Sequence, residues 1–296
     1  MKILVTGTKG QVSRCLQDRA RDRDDVDLVA VGRPELDLLK PDAIGDVVAA
    51  HSPDIVVSAA AYTAVDQAED EPEIALATNE VGAGAVAAAA KAVGAPVIHL
   101  STDYVFSGDL DRPYTEEDKP DPQSVYGASK LAGERAVAAA NDRHIILRTA
   151  WVYSPYGKNF FTTMLRLAEA CDDITVVDDQ IGNPTSAYDI ADGILHIAQK
   201  VLAQESACHY GIFHLAGEGA TSWASFAEKI MELSKVRGGP SAVVKRISSS
   251  EYPAKASKPG NSRLSTNKLR YQHSWRTPNW RQASGVVLYK FMNPTE

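Results

Sequence analysis

The sequence predicts an α/β fold: a doubly wound, Rossmann-like parallel sheet with a smaller α/β C-terminal region. Three observations predict it. Short apolar runs alternate with longer helical patterns through the first half, these runs are apolar on successive residues, and a Gly-bearing turn follows the first of them directly. A strand without two-residue alternation is covered on both faces, which requires parallel pairing with helices as crossovers.

The elements follow in order. Lys2-Ile-Leu-Val-Thr6 reads as a strand, Gly10 to Ala20 as a helix and Asp27 to Gly32 as the next strand. Asp54 to Ser58 and Pro96 to Ser101 repeat the pattern, separated by an Ala-rich helix from about Pro72 to Val93 whose Ala85 to Ala90 run packs closely on the sheet. Pro120 and Pro122 break the chain, a helix opens near Val125, and His144 to Arg148 supplies another buried strand. Beyond Trp151 the rhythm loosens. A helix near Phe160 to Ala170, a strand at Ile174 to Val177, a helix from Tyr188 to Leu202, a short strand from Gly211 to Leu215 and a helix starting near Ser222 are expected. The expected division is 1–150 with about 186–204 as one domain, and about 151–185 with 205–296 as a second; only Ser248 to Ser262 reads as a linker.

Charge narrows the function. There are 31 Lys and Arg against 38 Asp and Glu, a net −7, so the counterion-displacing surface that nucleic acid requires is not expected. Apolar runs stop short of a bilayer span, and Met1 to Thr6 run straight into the first turn, leaving no room for a signal peptide. Cys15, Cys171 and Cys208 have neither pairing nor metal spacing, and the expected location is cytoplasmic and reducing. From Lys235 to Lys290 there are twelve Lys and Arg and one acid, Glu251, which is either a solvated basic face or a site for an anionic ligand such as a nucleotide diphosphate.

Gly7-Thr-Lys-Gly10-Gln-Val-Ser13 lies between the first strand and the first helix, where glycines let backbone approach a pyrophosphate and the helix N-terminus presents free N–H groups. The second strand ends at Gly32-Arg33 without an acid for a ribose 2′-hydroxyl. Arg33 either pairs a 2′-phosphate, favouring NADPH over NADH, or is an ordinary surface arginine. Tyr126 and Lys130, four apart in a helix, share one face, and a nearby ammonium eases proton donation by a phenol. Ser101-Thr102, at the C-terminal end of a strand, offers a hydroxyl to hold a substrate oxygen. Together these suggest hydride transfer at a carbon bearing oxygen.

The constellation resembles the extended short-chain dehydrogenase/reductases and, within them, the dTDP-4-dehydrorhamnose reductase family. The matching strings are Gly10-Gln11-Val12, Ala59-Ala-Ala-Tyr-Thr-Ala-Val-Asp66, Ser101-Thr-Asp-Tyr-Val-Phe106, Val125-Tyr-Gly-Ala-Ser-Lys-Leu-Ala-Gly-Glu134, Arg148-Thr-Ala-Trp-Val-Tyr153, Asp179-Gln-Ile-Gly-Asn-Pro-Thr185 and Lys258-Pro-Gly-Asn-Ser-Arg-Leu264. The resemblance implies Tyr126 as general acid, Lys130 lowering its pKa and holding the nicotinamide ribose, and Thr102 orienting the keto oxygen. It implies Gly7, Gly10, Gln11 and Val12 at the pyrophosphate, and Asp37, Leu38, Ala60, Ala61 and Tyr62 around the adenosine and central cofactor region. Asp103 and Trp151 would meet the sugar, with Asn183 and Arg263 as further contacts to sugar or diphosphate. The first domain would then bind dinucleotide and the second a dTDP-sugar, in a monomer or homodimer, with NADPH as cofactor and NADH as the alternative. Ser13 stands where the family has a third glycine, which implies an altered helix entry with cofactor binding kept. No carboxylate or histidine cluster has ligand spacing, so no metal is expected. His51, His99, His144 and His196 read as packing residues. Two other functions stay open: a non-catalytic regulatory subunit with a retained cofactor fold, and reduction of another nucleotide-linked 4-keto-6-deoxy sugar with the opposite C4 outcome.

Overall fold

The computed structural model describes residues 1–21, 23–203, 209–252 and 255–294. Cys208 lies outside them. In the first half, the strands β1 (Lys2–Thr6), β2 (Asp27–Val31), β3 (Ile55–Ser58), β4 (Val97–Thr102) and β5 (His144–Thr149) alternate with helices. The helices are α1 (Gln11–Arg21), α2 (Pro41–His51), α3 (Val65–Ala68), α4 (Pro72–Leu76), α5 (Ala83–Ala92) and α6 (Val125–Ala140). The second half begins with β6 (Val152–Tyr153), α7 (Phe160–Ala168), β7 (Asp173–Val177), β8 (Ile181–Gly182), β9 (Thr185–Ser186) and α8 (Ala187–Leu202). It ends with β10 (Gly211–His214), β11 (Thr221–Ser222), α9 (Trp223–Val236), β12 (Val243–Ile247), α10 (Asn267–His273) and α11 (Trp280–Met292).

Six strands form one parallel sheet in the order β2-β1-β3-β4-β5-β10. Alternate residues of each strand feed opposite faces. Ile3, Val5, Ile55, Val57 and Ile98 face Val12, Cys15 and Leu16 of α1 and the apolar side of α8, while Leu4, Val56, Val97 and Ile146 face α2 and α5. Because both faces are covered, every residue of Ile55–Ser58 is buried, which is why no alternation is visible in the sequence. The chain leaves β1 for β2 on one side and then crosses to β3 on the other. Ligands of such sheets bind at that reversal, beyond the C-terminal ends of β1 and β3.

The structure departs from the sequence expectations in four places. The expected helix from Pro72 to Val93 is interrupted by a π-helical segment, Ala77–Gly82. That wider turn brings Asn79 inward and Gly82 so close to Leu38 that a Cβ there would lie 2.6 Å from the Leu38 carbonyl oxygen. Helix α2 carries no visible signal because only Ile44 and Val48 are buried and Gly45 sits between them. Gly211–His214, expected in the second domain, is the outer strand of the large sheet, paired with β5. Finally, part of the basic C-terminal stretch is spent on internal acids. Lys245 pairs with Asp173 across β12 and β7, Arg246 with Asp178 and Glu228, Lys255 with Asp70 and Arg276 with Glu218.

In the second half, β7 and β12 form a parallel pair against α7 and α9. The core is continuous with the sheet: Tyr153, Phe161, Phe226 and Trp280 belong to the same buried cluster as β1, α1 and α8. Among the described residues no helix is long and apolar enough to cross a membrane. His51 is a correction, since it is partly exposed and pairs with Glu35 at 3.0 Å. His144 and His196 bond backbone carbonyls of Asn141 and His273.

Candidate active site

The first turn is built by Thr6, Gly7 and Ser13. The Thr6 hydroxyl accepts the N–H groups of Ala59 and Ala60, each at 3.0 Å, and so ties the end of β1 to the end of β3. Gly7 has φ +89°, a left-handed conformation that side chains disfavour, and a Cβ there would touch that of Ala60 at 3.4 Å. Gly10 faces open space, so a ligand can approach its backbone closely. Ser13, at the third-glycine position, is buried and donates its hydroxyl back to the Gly7 carbonyl, closing the turn that a glycine would have left free. Since α1 starts at Gln11, the N–H groups of Gln11, Val12 and Ser13 have no intrahelical acceptor and form an anion cradle. The cradle fits a dinucleotide pyrophosphate.

The structure qualifies several of the expected cofactor contacts. The Gln11 side chain turns away from the cradle, its Oε1 accepting the Ser154 hydroxyl at 2.8 Å, so only its backbone faces a phosphate. Arg33 is exposed just after β2. The Asp37 carboxylate accepts the N–H of Leu39 at 3.1 Å, and Leu38 is buried against Gly82. Ala60, Ala61 and Tyr62 form the loop after β3. Asn79 clamps that loop, accepting the Tyr62 N–H at 2.8 Å and donating to the Tyr62 carbonyl and to Ser129 of α6. The Tyr62 hydroxyl donates to Glu71 at 2.8 Å.

Thr102, Tyr126 and Lys130 converge at the C-terminal end of β4. Helix α6 is capped by Ser124, whose hydroxyl accepts the Gly127 N–H at 3.1 Å, and two glycines let the helix sit hard against the sheet. A Cβ at Gly127 would lie 2.2 Å from the Tyr104 carbonyl oxygen, and one at Gly133 2.0 Å from that of Asn79. The Tyr126 ring packs edge-on to Tyr104 with centroids 5.5 Å apart, and its hydroxyl hydrogen-bonds Thr102. Burial pushes the phenol up to about 12, with the charge of Asp103 adding and the Thr102 bond opposing. Lys130 is buried and pushed down to about 8 by desolvation, against the attraction of Glu134. Its ammonium donates to the Leu100 carbonyl at 2.7 Å and lies 3.3 Å from His99 Nε2. Beneath the site Glu134 and Arg148 form a buried bidentate ion pair at 2.8 and 2.7 Å, and Ser101 donates to Glu134 at 2.5 Å.

Asp103 completes this end of the site. Its Oδ1 accepts the Thr102 hydroxyl at 3.0 Å, while Oδ2 is buried without a hydrogen bond. Burial raises its carboxyl to about 6, opposed by the hydroxyls of Ser262 and Thr102. Trp151, at φ +48°, stacks on Trp223 with centroids 3.5 Å apart, and Gly182 lies under its indole where a Cβ would come within 2.4 Å of Cε2. Beside Tyr104 opens a cavity of about 750 Å³, lined among others by Phe160, Gln180, Trp223, Tyr252 and Lys258.

Two expected substrate residues are engaged elsewhere. Asn183 uses its amide on backbone, donating to the carbonyls of Gly217 and Gly219 and accepting the Leu264 N–H. Arg263 turns to Asn261 Oδ1 at 2.8 Å and to the Asp111 carbonyl. The residues that sequence reasoning missed are Asn79, which no local motif marks, and the buried set of His99, Glu134 and Arg148. Glu134 and Arg148 stand inside quoted strings, but neither string reveals that they pair.

The whole chain also has close relatives. Residues 1–292 match the family model described as the RmlD substrate binding domain. The dTDP-4-dehydrorhamnose reductase of Sinorhizobium fredii is 49% identical over 292 residues, 99% of this chain and 98% of that protein. A crystal structure of a dTDP-4-dehydrorhamnose reductase from Clostridium acetobutylicum superposes with a TM-score of 0.90 at 35% identity, covering 99% of this chain and 100% of that one. The Bacillus anthracis enzyme of the same name, solved in complex with NADP, gives 0.89 at 35% identity, covering 98% and 99%. With the turn at Gly7, the Thr102–Tyr126–Lys130 centre and this full-length similarity together, the chain belongs to the dTDP-4-dehydrorhamnose reductase family.

Proposed function

We propose that the chain is an NADPH-dependent reductase that converts dTDP-4-dehydro-β-L-rhamnose to dTDP-L-rhamnose. The observation that carries this reading is the convergence of Thr102, Tyr126 and Lys130 beside the phosphate cradle at the sheet's switch point. Bound NADPH supplies the hydride delivered to C4 of the sugar. Thr102 orients the ketone oxygen, and the Tyr126 O–H bond breaks to place its proton on that oxygen as the alcohol forms. Lys130 would hold the nicotinamide ribose and offset the phenolate left behind. The backbone at Gly7, Gly10, Gln11 and Val12 holds the pyrophosphate, and Asp37, Leu38, Ala60, Ala61 and Tyr62 border the rest of the dinucleotide.

Asp103 Oδ2, with the Ser262 hydroxyl near it, accepts a further hydrogen bond from a sugar hydroxyl in this reading. Trp151 presents a rigid wall to the ring. The cavity beside Tyr104 is in the size range of ligand pockets and takes the nucleotide, with aromatic walls for the base and Lys258 for phosphate. Asn183 ties the segments at Gly217, Gly219 and Leu264 together.

The test supplies the 4-keto sugar nucleotide generated in situ, follows oxidation of NADPH and of NADH by absorbance, and reads the product's C4 configuration by NMR. Turnover to the L-rhamno product is expected. The C4 epimer would move the assignment to a sister sugar, and no turnover with either cofactor would overturn the reductase. Arg33→Ala is expected to raise KM for NADPH roughly tenfold while leaving KM for NADH unchanged, because a guanidinium discriminates only the 2′-phosphate. Equal effects on both cofactors would remove Arg33 from the site.

A further inference from the structure

We propose that His99 is a positioning residue for the reduction: its neutral imidazole accepts a hydrogen bond from the Lys130 ammonium and, through Ser58, ties that lysine to the loop bordering the cofactor. The inference rests on the reductase reading for its meaning, but the contact itself is geometric. An ammonium has donors only, so His99 Nε2, 3.3 Å from Lys130 Nζ, must present its lone pair. The ring proton is then on Nδ1, and Ser58 Oγ receives it at 3.0 Å. Ser58 is the last residue of β3, directly before Ala59 to Tyr62, so one buried chain of hydrogen bonds runs from the cofactor loop through β4 to α6.

Both partners are buried, so water does not compete for the contact. Burial and the charge of Lys130 both hold the imidazole neutral, the form that accepts. The other charged group acting on the lysine is Glu134 on its own helix, which is tied to Arg148 of β5. With two N–H directions taken by Leu100 and His99, the ammonium cannot rotate, and its third N–H has a single bearing.

The test titrates Lys130 by NMR in protein carrying labelled lysine, its signal identified by its loss in Lys130→Met, and compares the basic limb of kcat/KM. In the native enzyme both are expected near pH 8, activity falling as the ammonium is lost with rising pH. His99→Met removes the acceptor at similar volume and is expected to lower the lysine titration by about one pH unit and kcat roughly tenfold. His99→Gln, whose amide oxygen reaches the Nε2 position, restores most of both. An unshifted titration in His99→Met would overturn the proposal. Should that variant not fold, nitrogen NMR of labelled histidine in the native protein decides: neutral His99 protonated on Nδ1 is expected, and the opposite tautomer or an imidazolium overturns it. These titrations need no substrate, so absence of turnover in the native protein would unseat the reductase reading while leaving the His99 contact to be judged separately.

Discussion

Tyr126→Phe is expected to lower kcat by roughly 10²–10⁴-fold, the range supplied by a positioned general acid, while leaving the Kd for NADPH within about twofold of the native value. The ring stays, so its edge-on contact with Tyr104 at 5.5 Å and the packing of α6 are retained. What is lost is the hydroxyl that bonds Thr102 and carries the proton. The high phenol pKa fits an acid in the reducing direction: at neutral pH the group is protonated, and the proton leaves only as negative charge develops on the substrate oxygen. Lys130, charged below about pH 8, then stabilises what remains. Single-turnover rates and cofactor titration separate the two readouts. Equal loss of turnover and cofactor affinity would sink the acid assignment and make Tyr126 a structural residue.

Glu134→Leu is expected to destabilise the protein by about 3–5 kcal/mol, the cost of leaving one partner of a buried pair uncompensated. Glu134 and Arg148 are both almost wholly buried, with side chains 3% and 2% exposed, and Arg148 already has one terminal nitrogen without a hydrogen bond. Removing the carboxylate strands the guanidinium and the Ser101 hydroxyl together. Denaturant unfolding of Glu134→Leu, Arg148→Met and the double variant checks this. The double variant should recover most of the loss, because two apolar side chains leave no buried charge. Additive losses would mean that the two residues act independently. The pair also sits one helical turn beyond Lys130, so Glu134→Leu should depress the lysine titration through lost attraction.

The parallel sheet was legible because burial on both faces writes itself as uninterrupted apolar runs such as Ile55–Ser58. The placement of Thr102, Tyr126 and Lys130 was legible because it depends on local spacing: one strand end, and one helix face four residues apart. Helices α2 and α10 were not, since each buries only two residues. The basic stretch misled for a related reason. Charge along a chain does not say where its counter-charges lie, and Asp70, Asp173, Asp178 and Glu218 are far away in sequence.

Asn183 and Arg263 illustrate the limit at the site. Sequence does not show that such residues also have partners within the protein: Asn183 bonds backbone, and Arg263 bonds the Asn261 side chain and the Asp111 carbonyl. His99 errs in the other direction, a buried histidine on an apolar strand that turns out to face the lysine.

By itself, the sequence determined the sheet, the cradle after β1 and the reactive trio, because each is encoded by short-range periodicity, glycine placement or helical spacing. Only the tertiary structure decided which polar residues support the trio and which charges cancel one another. Those are contacts between β3, β4, β5 and α6, or between charges 18 to 185 residues apart, and a one-dimensional pattern carries no record of such distances.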